Sequence, residues 1–157
     1  MILLNIPGFG DFMLQNLVLD FNGTLAMDGK LLPGVKAALK KLSDHVLVHV
    51  VTADTFCSVA QQIGGTRCQL AVISSDAPAD ESKAQFVRSL GAETVAAIGN
   101  GRNDALMLQE AAVGIAVMQQ EGASARTLAS ADVVIGDILR AFELLLEPRR
   151  LVATLRN

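Results

Sequence analysis

The chain has 157 residues, 51% hydrophobic and 18% charged, which suits one domain over residues 1–157 with a sizeable core and excludes a disordered chain. Aromatic residues make up only 4%, with no Trp and no Tyr, so the core is aliphatic and platforms for stacking bases are scarce. The net charge is -3 and the pI about 5.3. With no basic stripe, no nucleic-acid partner is expected.

The apolar start, Met1 to Pro7, is too short for a signal peptide and lacks a basic n-region. No apolar run approaches the roughly 20 residues of a membrane span. A cytoplasmic protein with no membrane partner is expected, with Cys57 and Cys68 as reduced, mostly buried thiols.

Residues 1–6 read as a short strand, closed by the turn Pro7-Gly8-Phe9-Gly10. Residues 16–21 form the first core strand. Met27-Asp28-Gly29-Lys30 carries an Asp-Gly turn signal, which predicts a small hairpin or flap over 24–32. Pro33 suits the first turn of a helix whose Val35, Leu39 and Leu42 share one face. A strand over 45–51 is followed by a helix over 54–63, capped by Asp54 and ended by Gly64-Gly65. Further strands are predicted at 70–73, 94–98, 113–117 and 133–135. Helices are predicted at 80–90, 102–111, 123–129 and 137–146. The tail carries Arg149, Arg150 and Arg156 and reads as a solvated end. Met107 and Met118 read as core fillers, and Lys36, Lys40 and Lys41 as solvated helix lysines. Alternating β and α units predict an α/β fold, a three-layer α/β/α arrangement around a mostly parallel central sheet.

Four points along this pattern carry polar residues suited to one crevice. The apolar strand Leu17-Val18-Leu19 delivers Asp20 at its carboxyl end, followed by Phe21-Asn22-Gly23-Thr24. The second core strand ends at Thr52. A helix start carries Lys83. The fourth core strand runs into Gly99-Asn100-Gly101-Arg102-Asn103-Asp104. Open α/β sheets bind ligands beyond the carboxyl ends of their strands. A carboxylate, a hydroxyl, an ammonium and an acidic loop gathered there suit phosphoryl transfer, which needs a nucleophile, positive charge on the phosphoryl oxygens and a hard cation. Asp104 also suits the start of its helix, where acids are favoured. Gly99-Asn100-Gly101 is not a dinucleotide fingerprint, because Asp104 stands where the third glycine belongs.

Asp-x-Asn-Gly-Thr-Leu at 20–25, Thr52, Lys83 and Gly-Asn-Gly-x-Asn-Asp at 99–104 resemble, in order and spacing, the four motifs of the haloacid dehalogenase superfamily. Asn-Gly-Thr-Leu-Ala, Asp-Gly-Lys and Thr-Ala-Asp-Thr are similar to its soluble members that resemble the phosphorylation domain of P-type ATPases. The resemblance implies a Rossmann-like core and an Mg²⁺-dependent phosphohydrolase acting on a phosphorylated substrate. It implies that Asp20 is the nucleophile and forms an aspartyl-phosphate. It further implies that the Gly23 amide, Thr52 and Lys83 hold phosphate oxygens. Mg²⁺ would then be bound by Asp20, the backbone carbonyl of Asn22, Asn100 and Asp104.

Two positions depart from the pattern. Asn22 stands where active phosphatases place a second Asp as general acid and base, a function whose loss costs about 10² to 10⁴ in rate. Asn100 stands where an acidic ligand is common, which weakens cation affinity. Slow turnover is therefore expected. The alternative is a non-hydrolytic module that binds Mg²⁺ and phosphate or keeps a stable phosphoaspartate, with a link to metal-transport P-type ATPases. Only 31 residues separate Asp20 from Thr52, and 30 separate Thr52 from Lys83. Neither gap houses a cap domain, so an open crevice covered by a homo-oligomer neighbour, or filled by a large substrate, is expected.

Overall fold

A computed structural model of the protein describes residues 1–52, 58–73 and 77–157. Six parallel strands form its centre: β3 (Asn16–Asp20), β6 (Leu47–Thr52), β7 (Gln69–Val72), β8 (Val95–Gly99), β9 (Val113–Val117) and β10 (Val133–Ile135). Their order across the sheet is β10-β9-β8-β3-β6-β7. Every ladder in this sheet is parallel. All five residues of β3, β8 and β9 are buried, which is why these segments are continuous apolar runs rather than alternating ones.

Helices cover both faces. The side chains of Leu17 and Leu19 point to one face and that of Val18 to the other, and each joins a separate apolar cluster. On the first face lie α1 (Val35–Leu42), α2 (Ser58–Ile63 as described), α6 (Ile138–Leu146) and α7 (Pro148–Leu155). On the second lie α3 (Ala79–Ser89), α4 (Ala105–Glu110) and α5 (Ala125–Ser130). The expected three-layer arrangement is thus present. Lys36, Lys40 and Lys41 are exposed on α1, and Met107 is fully buried, as expected.

Three expectations need correction. The segment after the first turn is a strand, β2 (Gly10–Leu14), which pairs antiparallel with β1 (Ile2–Ile6) in a separate hairpin. Its alternation of Phe12 and Leu14 with Asp11 and Met13 was the missed signal. The three tail arginines are exposed as expected, but the tail they sit on is a packed helix rather than a loose end. Residues of α7 pack on β1, Leu151 is fully buried, and Arg150 pairs with Glu143 at 3.2 Å. Pro148 at the first turn starts this helix rather than ending the chain's structure. Met118 is half exposed, at 53%, rather than a core filler. Asp54 and Cys57 lie outside the described residues, and Cys68 is half-buried.

The strand order changes direction at β3. From β3 the chain proceeds through β6 to β7 on one side, then returns to β8 on the other. The carboxyl ends of β3 and β8 therefore border the crevice that such a switch opens. Between β3 and α1 stands only the small antiparallel flap of β4 (Ala26–Met27) and β5 (Lys30–Leu31).

Candidate active site

Asp20 is the last residue of β3 and is 8% exposed. Its carboxylate Oδ1 accepts a hydrogen bond from Lys83 Nζ at 2.5 Å. Lys83, on the first turns of α3, is 1% exposed and also donates to Asp104 Oδ1 at 2.6 Å. Asp104 is fully buried beneath them. Its Oδ2 accepts from the backbone amides of Asn100 at 2.9 Å and Gly101 at 2.7 Å. It therefore ties the loop after β8 to the lysine rather than capping α4.

Two glycines make this packing possible. A Cβ at Gly99 would sit 2.5 Å from Asp104 Cγ, and one at Gly23 would sit 2.5 Å from Asn100 Nδ2. Gly23 also has φ +78°, in the left-handed region that favours glycine. The motif around Asp20 and the loop around Asn100 can interlock only because both positions lack side chains.

Asn100 holds the two loops together. Its Oδ1 accepts from the Thr24 hydroxyl at 3.2 Å and its Nδ2 donates to the Gly122 carbonyl at 3.0 Å. Gln119, just past β9, donates to the carbonyls of Gly23 and Thr24 and accepts from the Ile138 amide. Above this base opens a crevice of about 250 Å³, lined by Asp20, Asn22, Thr52, Lys83 and Asn100 among others. Five of the seven expected site residues thus share one crevice.

The other two do not line it. Asp104 lies below, acting through Lys83. The Gly23 amide donates to the Ala26 carbonyl of the flap at 2.8 Å. Three lining residues were missed: Gly101, Asn103 and Glu121. Glu121 belongs to the polar run Gln119-Gln120-Glu121-Gly122 just after a core strand, a position that could have revealed it.

Two carboxylates share one ammonium, leaving an excess negative charge in a buried place. The Asp20 carboxyl pays for it: burial first, and the Asp104 charge second, raise its pKa to about 7 against the opposing pull of Lys83 and the Phe21 amide. For Lys83, burial opposes the charge, but Asp20 and Asp104 outweigh it and hold the ammonium above the ordinary lysine value. A hard divalent cation would neutralise the surplus, so the residues fit one. Its donors would be the Asp20 carboxylate, the Asn22 carbonyl and the Asn100 amide oxygen, while Asp104 holds Lys83 and the Asn100 loop from below. Asn22 and Asn100 supply neutral oxygens to this set, which gain less from a cation than carboxylates do.

No family model matches the chain. Two proteins of Methanocaldococcus jannaschii, both described only as uncharacterized, are similar in sequence. One is 49% identical over 63 residues, spanning 40% of this chain and 68% of its own length. The other is 44% identical over 39 residues, spanning 25% of this chain and 89% of its own length. Among solved structures, 3-deoxy-D-manno-octulosonate 8-phosphate phosphatase from Moraxella catarrhalis, in complex with magnesium, phosphate and KDO, superposes with a TM-score of 0.69. It shares 17% identity, over 91% of this chain and 94% of that one. A haloacid dehalogenase superfamily hydrolase of subfamily III A from Legionella pneumophila has a TM-score of 0.63 at 16% identity, over 90% and 87% of the two chains. A phospho-aspartyl intermediate analogue of phosphoserine phosphatase has a TM-score of 0.65 at 15% identity, over 85% and 99%.

The fold is that of the haloacid dehalogenase superfamily, with the flap in place of a cap between β3 and α1. By sequence, the chain belongs to one family with the two archaeal proteins.

Proposed function

We propose that the protein is an Mg²⁺-dependent phosphohydrolase that works through an aspartyl-phosphate on Asp20. The observation that carries this reading is the buried Lys83 ammonium between Asp20 and Asp104, 2.5 and 2.6 Å away, at the floor of a crevice where Asn22, Thr52 and Asn100 converge. Magnesium and phosphate in the Moraxella structure, and the phospho-aspartyl analogue of phosphoserine phosphatase, support it by similarity.

In this reading an Asp20 carboxylate oxygen attacks phosphorus as the bond to the leaving oxygen breaks. Lys83 holds Asp20 in place, and Thr52 and Lys83 offset charge on the transferring oxygens. The leaving oxygen takes its proton from water, because the Asn22 amide has none to give. Water then attacks phosphorus of the acyl phosphate, releasing inorganic phosphate and regenerating the Asp20 carboxylate. Mg²⁺, when held by Asp20, the Asn22 carbonyl and Asn100, would supply charge neutralisation between nucleophile and phosphate, with Asp104 anchoring Lys83 and the Asn100 loop beneath it. The missing acid makes both halves slow.

Asn22 also supports a second reading, a module that is phosphorylated on Asp20 and keeps the phosphate, as a relative of P-type ATPases would. The gaps between Asp20, Thr52 and Lys83 are too short for a cap domain, so a second copy of the chain is the proposed cover in either case. Phosphate release from an aryl phosphate and from acetyl phosphate, with and without Mg²⁺, tests the first reading. Mg²⁺-dependent multiple turnover that disappears in Asp20→Asn is expected. Stoichiometric labelling without turnover would overturn hydrolysis in favour of the stable phosphoenzyme. No helix of the described residues is long and apolar enough to cross a membrane.

A further inference from the structure

Beside the crevice lies a second cavity that the proposed chemistry does not use. Its volume is about 470 Å³, within the range of small-molecule sites, roughly 300–1,000 Å³. One wall is the flap, with Met27 and Leu32. The opposite wall is the loop after β9 and the start of α6, with Met118 and Leu139. Glu121 lines both this cavity and the crevice, and Gly23, three residues after Asp20, lines the cavity. The two spaces therefore meet at Glu121.

The chemistry of the lining is distinctive. Met118, half exposed here, gives the cavity an adaptable apolar wall. None of the described residues lining it is Lys or Arg. Two carboxylates are present. Asp137 is committed to the α6 N-terminus, accepting from the Leu139 amide at 2.7 Å and the Arg140 amide at 3.2 Å. Glu121 is exposed, and its only hydrogen bond among the described residues is a long one from the Asp28 amide, at 3.4 Å. It is the charge a ligand would meet on passing from crevice to cavity.

We infer that this cavity receives the leaving group of the substrate, and that it selects phosphate monoesters whose alcohol is apolar and neutral or cationic over those whose alcohol carries a carboxylate or further phosphates. The inference rests on the phosphohydrolase reading for its position but not for its chemistry. A phosphoryl group at Asp20 points its ester oxygen outward from the crevice floor. An apolar body then fills the space between Met27 and Met118, and a cationic end faces Glu121. An anionic body would meet Glu121 and Asp137 with no basic residue to offset them.

The test uses three benzyl phosphates that share one scaffold, carrying a para-aminomethyl group, hydrogen or a para-carboxylate, with Mg²⁺ and the full chain. In the wild type, kcat/KM falls in that order, with about tenfold between the first and last, the scale of one partly exposed charge pair. In Glu121→Gln the spread narrows, and in Glu121→Lys the order reverses. Separately, carbon-13 methyl spectra of the methionines are recorded with para-aminomethylbenzyl alcohol, which has no phosphate. The Met27 and Met118 signals move, while those of Met1 and Met13 on the N-terminal hairpin do not. Equal rates for the three esters, or unmoved Met27 and Met118 signals, overturn the inference while leaving the phosphohydrolase reading intact. If no ester is turned over, that reading fails, and the methyl spectra alone decide whether the cavity takes this ligand class.

Discussion

Gln119 clamps the carbonyl of Thr24 across 95 residues of sequence, its amide nitrogen donating at 2.8 Å. The same nitrogen donates to the Gly23 carbonyl at 3.1 Å, and the amide oxygen accepts from Ile138 at 3.0 Å. One side chain thereby pins the turn that follows Asp20 to the start of α6. Gln119→Leu strips partners from three part-buried backbone groups and should cost about 1–3 kcal/mol. Urea denaturation measures that cost. The same variant should lower kcat more than it raises KM, because the clamp sets the position of the Asp20 turn rather than the ligand's contacts. A kcat equal to wild type would show that the turn holds itself.

Lys83 and Asp20 respond differently to removal. Lys83→Met leaves two buried carboxylates facing each other without a cation, and a loss of about 3–5 kcal/mol is expected. Asp20→Asn instead leaves the Lys83–Asp104 pair balanced. Its thermal midpoint should stay near or above that of wild type while its turnover is lost. A strongly destabilised Asp20→Asn would mean that the surplus charge on this site is already compensated.

Asn22 faces the crevice from the exposed side of the turn. Asn22→Asp supplies a group able to give a proton to the leaving oxygen and take one from the attacking water. Multiple-turnover rates should rise by about 10² or more. The gain should be greatest for alkyl esters, whose leaving oxygens need the proton most. An unchanged rate would place the slow step outside proton transfer.

The raised Asp20 pKa has a defined consequence for stability. The folded carboxyl binds its proton more tightly than the unfolded one, whose pKa is 3.8, and the folded value is about 7. Its contribution is fully present below the unfolded value and is lost as pH rises through about 7. Metal-free protein should therefore lose stability over that window, and Asp20→Asn should remove this part of the slope. Mg²⁺ should add more stability above the window than below it, since it binds the ionised carboxylate. Denaturation midpoints across pH, with Mg²⁺ or a chelator, check both statements.

The parallel strands were readable because a sheet covered on both faces demands continuous apolar runs, and Leu17-Val18-Leu19, Val95-Ala96-Ala97-Ile98 and Val113 to Val117 are such runs. Asp20 and Asn100 were readable because each follows one of these runs, and Thr52 because it ends the apolar strand β6. The alternation in β2 is faint because apolar Met13 stands at an outward position, and the half-buried pattern of α7 becomes informative only with β1 to pack on. Gln119 was silent, because a polar loop residue acquires a clamping role only from what lies opposite it, whereas Glu121 at least stood in a polar run just after a core strand.

By itself, then, the sequence determined the α/β class, the flap, and the set of polar groups at the strand ends, because periodicity and strand termini are local properties of the chain. The tertiary structure decided which of those groups meet. It placed Asp104 beneath Lys83 rather than in the crevice, committed the Gly23 amide to Ala26, and set Glu121 between two cavities. Those outcomes depend on the approach of backbones distant in sequence, at Gly23 and Gly99 above all, where the absence of a side chain lets one loop close on another.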